Sequence, residues 1–257
     1  MGYADLHIHS MYSPDATTTV RGVLKQAADV GLDVVAITDH DEIRGSLEAR
    51  ELASQYGIEA VTGAEVTSAD GHIVALYIEE LPPAGMSLDD TLLWIGHRGG
   101  IAIAPHPFNN LPNSLTLESI VGVFNRPRSK GTLKGIEVYN MATRAFTETA
   151  EKLSRYLPLA KTAASDAHVY WAIGVGRTQF PGSSADDLRR ALEAATTVPL
   201  PFEGKMPAPP LLSWFRRMIL RRLGFVSDAV SASSPVNTQR FDRSALLKMM
   251  MEKKAKK

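Results

Sequence analysis

Apolar and polar positions along the chain alternate in short and long blocks. The short blocks read as strands: residues 3–7, 33–38, 58–64, 72–78, 101–104, 135–139, 161–164 and 178–180. Runs such as Val34-Val35-Ala36-Ile37 are apolar throughout, as strands covered on both faces are. The longer blocks carry helical spacing. They cover residues 20–30 behind a Thr19 cap and ahead of Gly31, 45–56 ahead of Gly57, and 88–98 behind Ser87 with Asp89 and Asp90 in the first turn. Three more cover 117–124, 144–156 and 185–195. Caps, terminal glycines and first-turn acids each satisfy the free backbone groups or dipole of a helix end. Asp70-Gly71 marks a turn between two strands, so residues 58–64 and 72–78 can form a hairpin. Roughly seven strand–helix units predict an α/β fold, a parallel β/α barrel. Chemistry in such a barrel gathers where strands end.

A chain of 257 residues with 44% hydrophobic and 22% charged residues suits a globular protein of this class. Cysteine is absent. That excludes disulfides, thiolate ligands and a cysteine nucleophile, and it fits a reducing, cytoplasmic setting. No basic segment leads into an apolar run at the N-terminus, so no secretory signal is expected. No apolar stretch approaches the roughly 20 residues that span a bilayer.

Formal net charge is zero, but it divides along the chain. Residues 205–257 hold 12 Lys and Arg against three acids, and the rest holds 16 against 25. An acidic body suits cations and a basic tail suits an anionic surface. We therefore expect a catalytic domain over residues 1–204 and a basic extension over 205–257. Pro207, Pro209 and Pro210 would stiffen the link. Residues 211–223 read as a basic amphipathic helix that packs on the barrel or lies on a membrane surface. Residues 227–238 are Ser-rich and expected to be disordered, and 244–251 could form a short helix before a lysine-rich end that could contact nucleic acid.

Candidate chemistry collects at the strand ends. His7 and His9 stand at i and i+2, so on extended backbone they point the same way and can reach one ion. His40 ends the second strand in Ile37-Thr38-Asp39-His40-Asp41. His106 follows the strand 101–104, and His168 closes Ser165-Asp166-Ala167-His168. His72 opens a strand just across a turn from Glu65. Only His97 of the seven histidines lies in a predicted helix away from the strand ends, and it reads as a surface residue. The carboxylates Asp15, Glu65 and Asp166 fall on the same rim. Asp39 reads as a residue that orients an imidazole. Nine imidazole and carboxylate donors without thiols suit two or three Zn²⁺, Mn²⁺ or Fe²⁺ ions, with Mg²⁺ an option, and Glu65 is the natural bridge.

Together, Asp5-Leu6-His7-Ile8-His9-Ser10, Ile37–Asp41, Gly63-Ala64-Glu65, His72-Ile73-Val74, Pro105-His106-Pro107 and Ser165–His168 resemble the PHP (polymerase and histidinol phosphatase) family over about residues 3–190. The resemblance implies a distorted seven-stranded β/α barrel with a trinuclear site. It implies that His7, His9, Glu65 and Asp166 hold one metal, Glu65, His72 and His106 a second, and Asp15, His40 and His168 a third. It implies a metal-dependent phosphoesterase in which an activated water attacks phosphorus in line. Short stand-alone members suggest nucleotides or short oligonucleotides as substrates, by nucleotide bisphosphate phosphatase or 5′→3′ exonuclease action. Histidinol phosphatase action is an alternative. So is a non-catalytic metal-binding module recruited by its basic tail. An amidohydrolase barrel also opens on His-x-His, but Glu65, His72 and the Ser165–His168 motif fit the phosphoesterase better.

Phosphate needs further positive charge, and Arg44 and Arg177 are the candidates, since guanidinium can grip phosphate bidentately. Asn140 and Tyr12 could line the pocket. His168 or Asp15 could pass a proton to the leaving group.

Overall fold

The computed structural model describes residues 1–109, 113–126, 129, 131–202 and 219. Ten strands and six α-helices follow in the order β1 (Gly2–Ile8), α1 (Val20–Asp29), β2 (Val34–Ile37), α2 (Arg44–Leu52), β3 (Glu59–Val61), β4 (Gly63–Ser68), β5 (Gly71–Leu76), α3 (Leu88–His97), β6 (Ile101–Ala104), α4 (Leu117–Phe124), β7 (Leu133–Asn140), α5 (Thr147–Ser154), β8 (Ala160–Ala164), β9 (Arg177–Phe180), α6 (Ala185–Glu193) and β10 (Val198–Leu200). Helix starts follow the expected side chains. Thr19, Ser87, Thr116 and Ser184 each accept a backbone N–H of the first turn.

The strands form two mixed five-stranded sheets, β10-β9-β1-β2-β3 and β4-β5-β6-β7-β8. This corrects the expected closed barrel of seven parallel strands: no single sheet closes on itself. Two isolated parallel bridges, Ile8↔Ala167 and His40↔Glu65, mark the seams where the sheets meet. Ala4, Leu6, Val34, Ala36, Val74, Leu76, Ile101 and Phe180 fill the space between the sheets. Helices α1 and α2 cover one sheet through Val23, Leu24 and Ala49, and α3 and α4 cover the other through Leu92, Ile95 and Ile120. Burying each of the Val, Leu, Ile and Phe side chains among these stabilises the fold by about 1.5–3 kcal/mol.

Several element boundaries differ from the sequence expectation. The run 58–64 is cut at Thr62, and its two parts join different sheets. Gly63 sits where a Cβ would strike the carbonyl of Ala75, so only glycine lets the chain cross there. The hairpin forms as expected, with Gly63 opposite Leu76 and Ser68 opposite Gly71. The strand near 178–180 runs antiparallel to β1, which a parallel barrel does not anticipate, and β10 was not anticipated at all. The helix expected over 144–156 opens as a 3-10 turn before α5, and that over 45–56 closes as one after α2. The expected helices at 211–223 and 244–251, the linker prolines and the Ser-rich 227–238 lie outside the described residues. No helix among the described residues is long and apolar enough to cross a membrane.

Candidate metal centre

The site forms where strands from both sheets end. Pairing between β1 and β2 shifts register between Asp5 and Ile8. Such irregularities re-aim side chains beside active sites, and here His7 lies within one. His7 and His9 are fully buried, with their Nε2 atoms 3.1 Å apart. His40 follows β2, His106 follows β6, and Asp166 and His168 follow β8. Glu65 on β4 and His72 on β5 come together across the hairpin. His106 and Asp166 both adopt left-handed backbone conformations, with φ of 30° and 49°, a strain of about 1–3 kcal/mol each that persists only where contacts hold it.

Glu65 stands at the centre. Its Oε1 lies 2.8 Å from His72 Nδ1 and 3.0 Å from His106 Nε2. Its Oε2 lies 2.9 Å from His40 Nδ1, 3.3 Å from His7 Nε2 and 3.4 Å from His9 Nε2. Asp166 Oδ1 sits 3.2 Å from His9 Nε2 and 3.5 Å from His168 Nδ1. Asp15 Oδ2 sits 3.2 Å from His168 Nε2 and 3.3 Å from His40 Nε2. All nine expected donors therefore converge. They compose four groups of the right span for an ion: His9 with Asp15, His40 and His168; His7 with His9 and Asp166; His7 with Glu65 and His106; and His40 with Glu65 and His72. Side-chain exposure grades from 0% at His7 to 27% at His168 and 37% at Asp15. The cluster is sealed at one end and open at the other.

This donor set fits divalent cations. Glu65 Oε2 and Asp15 Oδ1 are buried and have no hydrogen-bond partner among the described residues. Glu65 Oε2 nevertheless has three ring nitrogens close by, so these are charge contacts without hydrogen-bond alignment. Buried carboxylate oxygens are normally paired or coordinate metals.

Electrostatics divides the pair at the centre. Burial lowers the His9 imidazole to about 4, so at neutral pH it keeps the lone pair a metal needs. Burial also pulls His7 down, but Asp166, Glu65 and Glu137 outweigh it and hold His7 well above its usual value. Burial alone would raise the Glu65 carboxyl, and the surrounding imidazoles hold it well below the carboxylate range. Burial likewise opposes the charge on His40, yet Asp15 and Glu65 raise it to about 10.

Around the donors lies a ring of supporting side chains. Asp39 accepts the Ser10 backbone N–H at 2.6 Å, the Ser10 hydroxyl at 2.7 Å and the Ser13 N–H at 3.2 Å, which fixes the loop after β1. Ser13 Oγ lies 3.0 Å from His9 Nδ1 and accepts the His40 N–H at 3.0 Å. Asp5 accepts the N–H groups of Ser165 and Gly174. Glu137, buried on β7, contacts His7 and His106. Sequence reasoning missed Ser13 and Glu137. The available signal for Glu137 was an acid inside the apolar run Gly135-Ile136-Glu137-Val138.

The other candidates are placed as follows. Arg44 is exposed, binds Glu42 through Nε at 2.9 Å, and lies 5.2 Å from the Tyr12 ring centre. Tyr12 donates its hydroxyl to Glu48 at 3.1 Å. Arg177 donates to the carbonyls of Gly174 and Val30, at the C-terminal end of α1. Asn140 is buried and reaches Glu137 and Asp166. His97 is exposed at the end of α3, apart from the cluster.

Fold and donor set define an α/β domain built to hold divalent metal ions. The chain belongs to the PHP domain family, whose family profile matches residues 5–193. An uncharacterised protein of Methanocaldococcus jannaschii is 41% identical over 122 residues, covering 44% of this chain and 71% of that protein. Phosphoribosyl 1,2-cyclic phosphate 1,2-diphosphodiesterase of Eggerthella lenta is 38% identical over 103 residues, covering 38% of this chain and 39% of that enzyme. The fold resembles that of a two-domain Bacteroides vulgatus protein containing a predicted PHP-like metal-dependent phosphoesterase. Its TM-score is 0.66 at 22% identity, covering 84% of this chain and 69% of that one.

Proposed function

We propose that the protein hydrolyses phosphate esters of nucleotides or short oligonucleotides, as a nucleotide bisphosphate phosphatase or 5′→3′ exonuclease. The observation that carries the reading is the convergence of nine imidazole and carboxylate donors on Glu65. The Eggerthella lenta relative, by its name, acts on a phosphoribosyl cyclic phosphate, which favours a ribose-linked phosphate here.

In this reading His7, His9, Glu65 and Asp166 hold one ion, Glu65, His72 and His106 a second, and Asp15, His40 and His168 a third. Zn²⁺, Mn²⁺, Fe²⁺ or Mg²⁺ held there would supply Lewis acidity toward the phosphate oxygens and the attacking water. The chain's own residues do the rest. The sealed end around His7 and His9 excludes bulk water, which strengthens every charge interaction inside. The open end at Asp15 and His168 admits the ester. With the third site empty, His168 Nε2, paired with Asp15, can hold a proton at the mouth and deliver it to the leaving oxygen; with that site filled, the same atom is a ligand. Arg44 stands nearest the loop after β1 and can exchange Glu42 for a phosphate. Arg177 is the weaker candidate, because its guanidinium already serves two backbone carbonyls.

Residues 1–204 form the hydrolase domain in this proposal, consistent with the end of β10 at Leu200. Residues 205–257 form a basic extension toward an anionic surface, and the setting is the cytoplasm. The test uses purified chain with Mn²⁺ against an aryl phosphate, nucleoside 3′,5′-bisphosphates, short oligonucleotides and sugar phosphates. Turnover that His9→Ala abolishes supports the reading. No turnover with any metal, or full activity in His9→Ala, refutes it.

A further inference from the structure

Glu137 comes from the middle of β7, inside the otherwise apolar run Gly135-Ile136-Glu137-Val138. It is 2% exposed. A buried carboxylate must be paired to be tolerated, and among the described residues no lysine or arginine bridges it. Its partners are two donor residues of the metal centre, His7 and His106, and Asn140. Oε1 lies 3.0 Å from His7 Nδ1. Oε2 accepts the backbone N–H of His106 at 2.8 Å and the Asn140 side-chain N–H at 2.8 Å.

Each contact has a definite effect. A carboxylate oxygen at this distance accepts from the ring N–H, so a hydrogen of His7 sits on Nδ1, and Nε2, which faces Glu65 and Asp166, is left as the atom an ion would take. The bond to His106 N holds a residue whose φ of 30° is unfavourable. Asn140 extends the reach of Glu137. Its Nδ2 lies 3.3 Å from Asp166 Oδ2, and its Oδ1 accepts the N–H groups of Ala142 and Thr143, which fixes the orientation of the amide. Pairing of β7 with β8 shifts register between Glu137 and Tyr139, so this strand, like β1 at His7, is irregular where the two side chains meet. The neighbouring imidazole is treated differently: His9 Nδ1 faces the Ser13 hydroxyl. No contact joins Glu137 to Asp15, His40 or His168 among the described residues.

We infer that Glu137 is the positioning carboxylate of the metal centre, setting the His7 ring, the His106 backbone and, through Asn140, Asp166. It governs the ions those three residues hold and leaves the group of Asp15, His40 and His168 alone. The inference rests on the proposed metal-dependent reading, but its test does not depend on turnover. Removal of such an outer partner typically weakens metal binding about 10–100-fold.

The experiment is calorimetric titration of Mn²⁺ into metal-free wild type and Glu137→Gln, with a competing chelator for the tight steps. The expected result is a fall of about 10–100-fold in some binding steps, with at least one step unchanged. Identical titrations, or an equal loss in every step, would overturn the inference. A second measurement needs no variant. Long-range proton–nitrogen correlation spectra of Mg²⁺- or Zn²⁺-loaded wild type should place the His7 ring hydrogen on Nδ1, and a hydrogen on Nε2 would overturn it. If wild type binds no metal, the proposed function itself fails. If wild type binds metal and hydrolyses esters while Glu137→Gln titrates identically, only the role of Glu137 fails.

Discussion

The backbones of His40 and Glu65 meet in an isolated parallel bridge, and the His40 ring sets its Nδ1 2.9 Å from Glu65 Oε2. One pair of residues thus closes a seam between the sheets and supplies two neighbouring donors. Glu65→Gln keeps the shape and removes the shared charge. It should lower turnover by at least about 100-fold, since even outer-ring partners are worth 10–100-fold. Steady-state kinetics with saturating Mn²⁺ checks this, and a loss below tenfold would show that Glu65 bridges nothing.

Metal removal should destabilise the chain. Ions present at 100 times their dissociation constant add about 2.7 kcal/mol. For a domain of this size that corresponds to roughly 5–10 °C in Tm. Thermal scans with and without a chelator give the shift directly, and coincident scans would argue against a metal held by the folded state.

The donors were legible in the sequence because each is tied to a local signal. His7 and His9 share a face through the strand period, and His40, His106 and His168 each follow a short apolar run. Glu65 and His72 flank a recognisable turn. Glu137 was not legible, because its partners are set by tertiary contact: 130 residues separate it from His7. The division into two sheets was hidden for a similar reason. Residues 58–64 form an unbroken strand-like run, and only the packing of Gly63 against Ala75 shows where it changes sheet. Strand direction was also out of reach at β9, since the period of a strand is the same whichever way it runs.

Gly45 lies where a Cβ would press on the Asp39 carboxylate, the Ser10 hydroxyl and the Tyr12 ring. Asp39 anchors the loop that carries Ser13. Gly45→Ala should therefore cost about 1–3 kcal/mol, the usual price of overpacking, and should also displace His9. Urea denaturation gives the first effect. The second would appear as weaker Mn²⁺ binding, and unchanged values of both would mean that the loop adapts freely.

Arg44→Ala should raise KM several-fold with little change in kcat, the pattern of lost uniform binding. Arg177→Ala should instead lower stability, because its guanidinium holds Gly174 and Val30. Kinetics and urea melts on the two variants separate the roles, and the reverse assignment would place the phosphate at Arg177.

The start of α6 offers a pH test remote from the metals. Asp187 accepts the N–H groups of Ser183 and Ser184 and the Ser184 hydroxyl, and these bonds hold its carboxyl well below the usual carboxylate range. A depressed folded value means that the stabilisation is complete above about pH 4 and fades as pH falls further. Asp187→Asn should be less stable than wild type at pH 7, and the gap should narrow at pH 3. Chelator-treated protein in urea shows this without interference from the ligands, and a gap independent of pH would rule out the carboxylate charge as its source. Ser184→Ala should cost about 1 kcal/mol at pH 7.

Every one of the four donor groups takes members from both sheets. His7, His9, Asp15 and His40 belong with β1 and β2, while Glu65, His72, His106, Asp166 and His168 belong with the sheet from β4 to β8. Bound ions would therefore act as rivets across a mechanical joint. Without them, the two halves should slip against each other while each keeps its own strands in register. Amide exchange should then speed up first at Ile8, His40, Glu65 and Ala167, and a force applied across the joint should meet most of its resistance in the rivets.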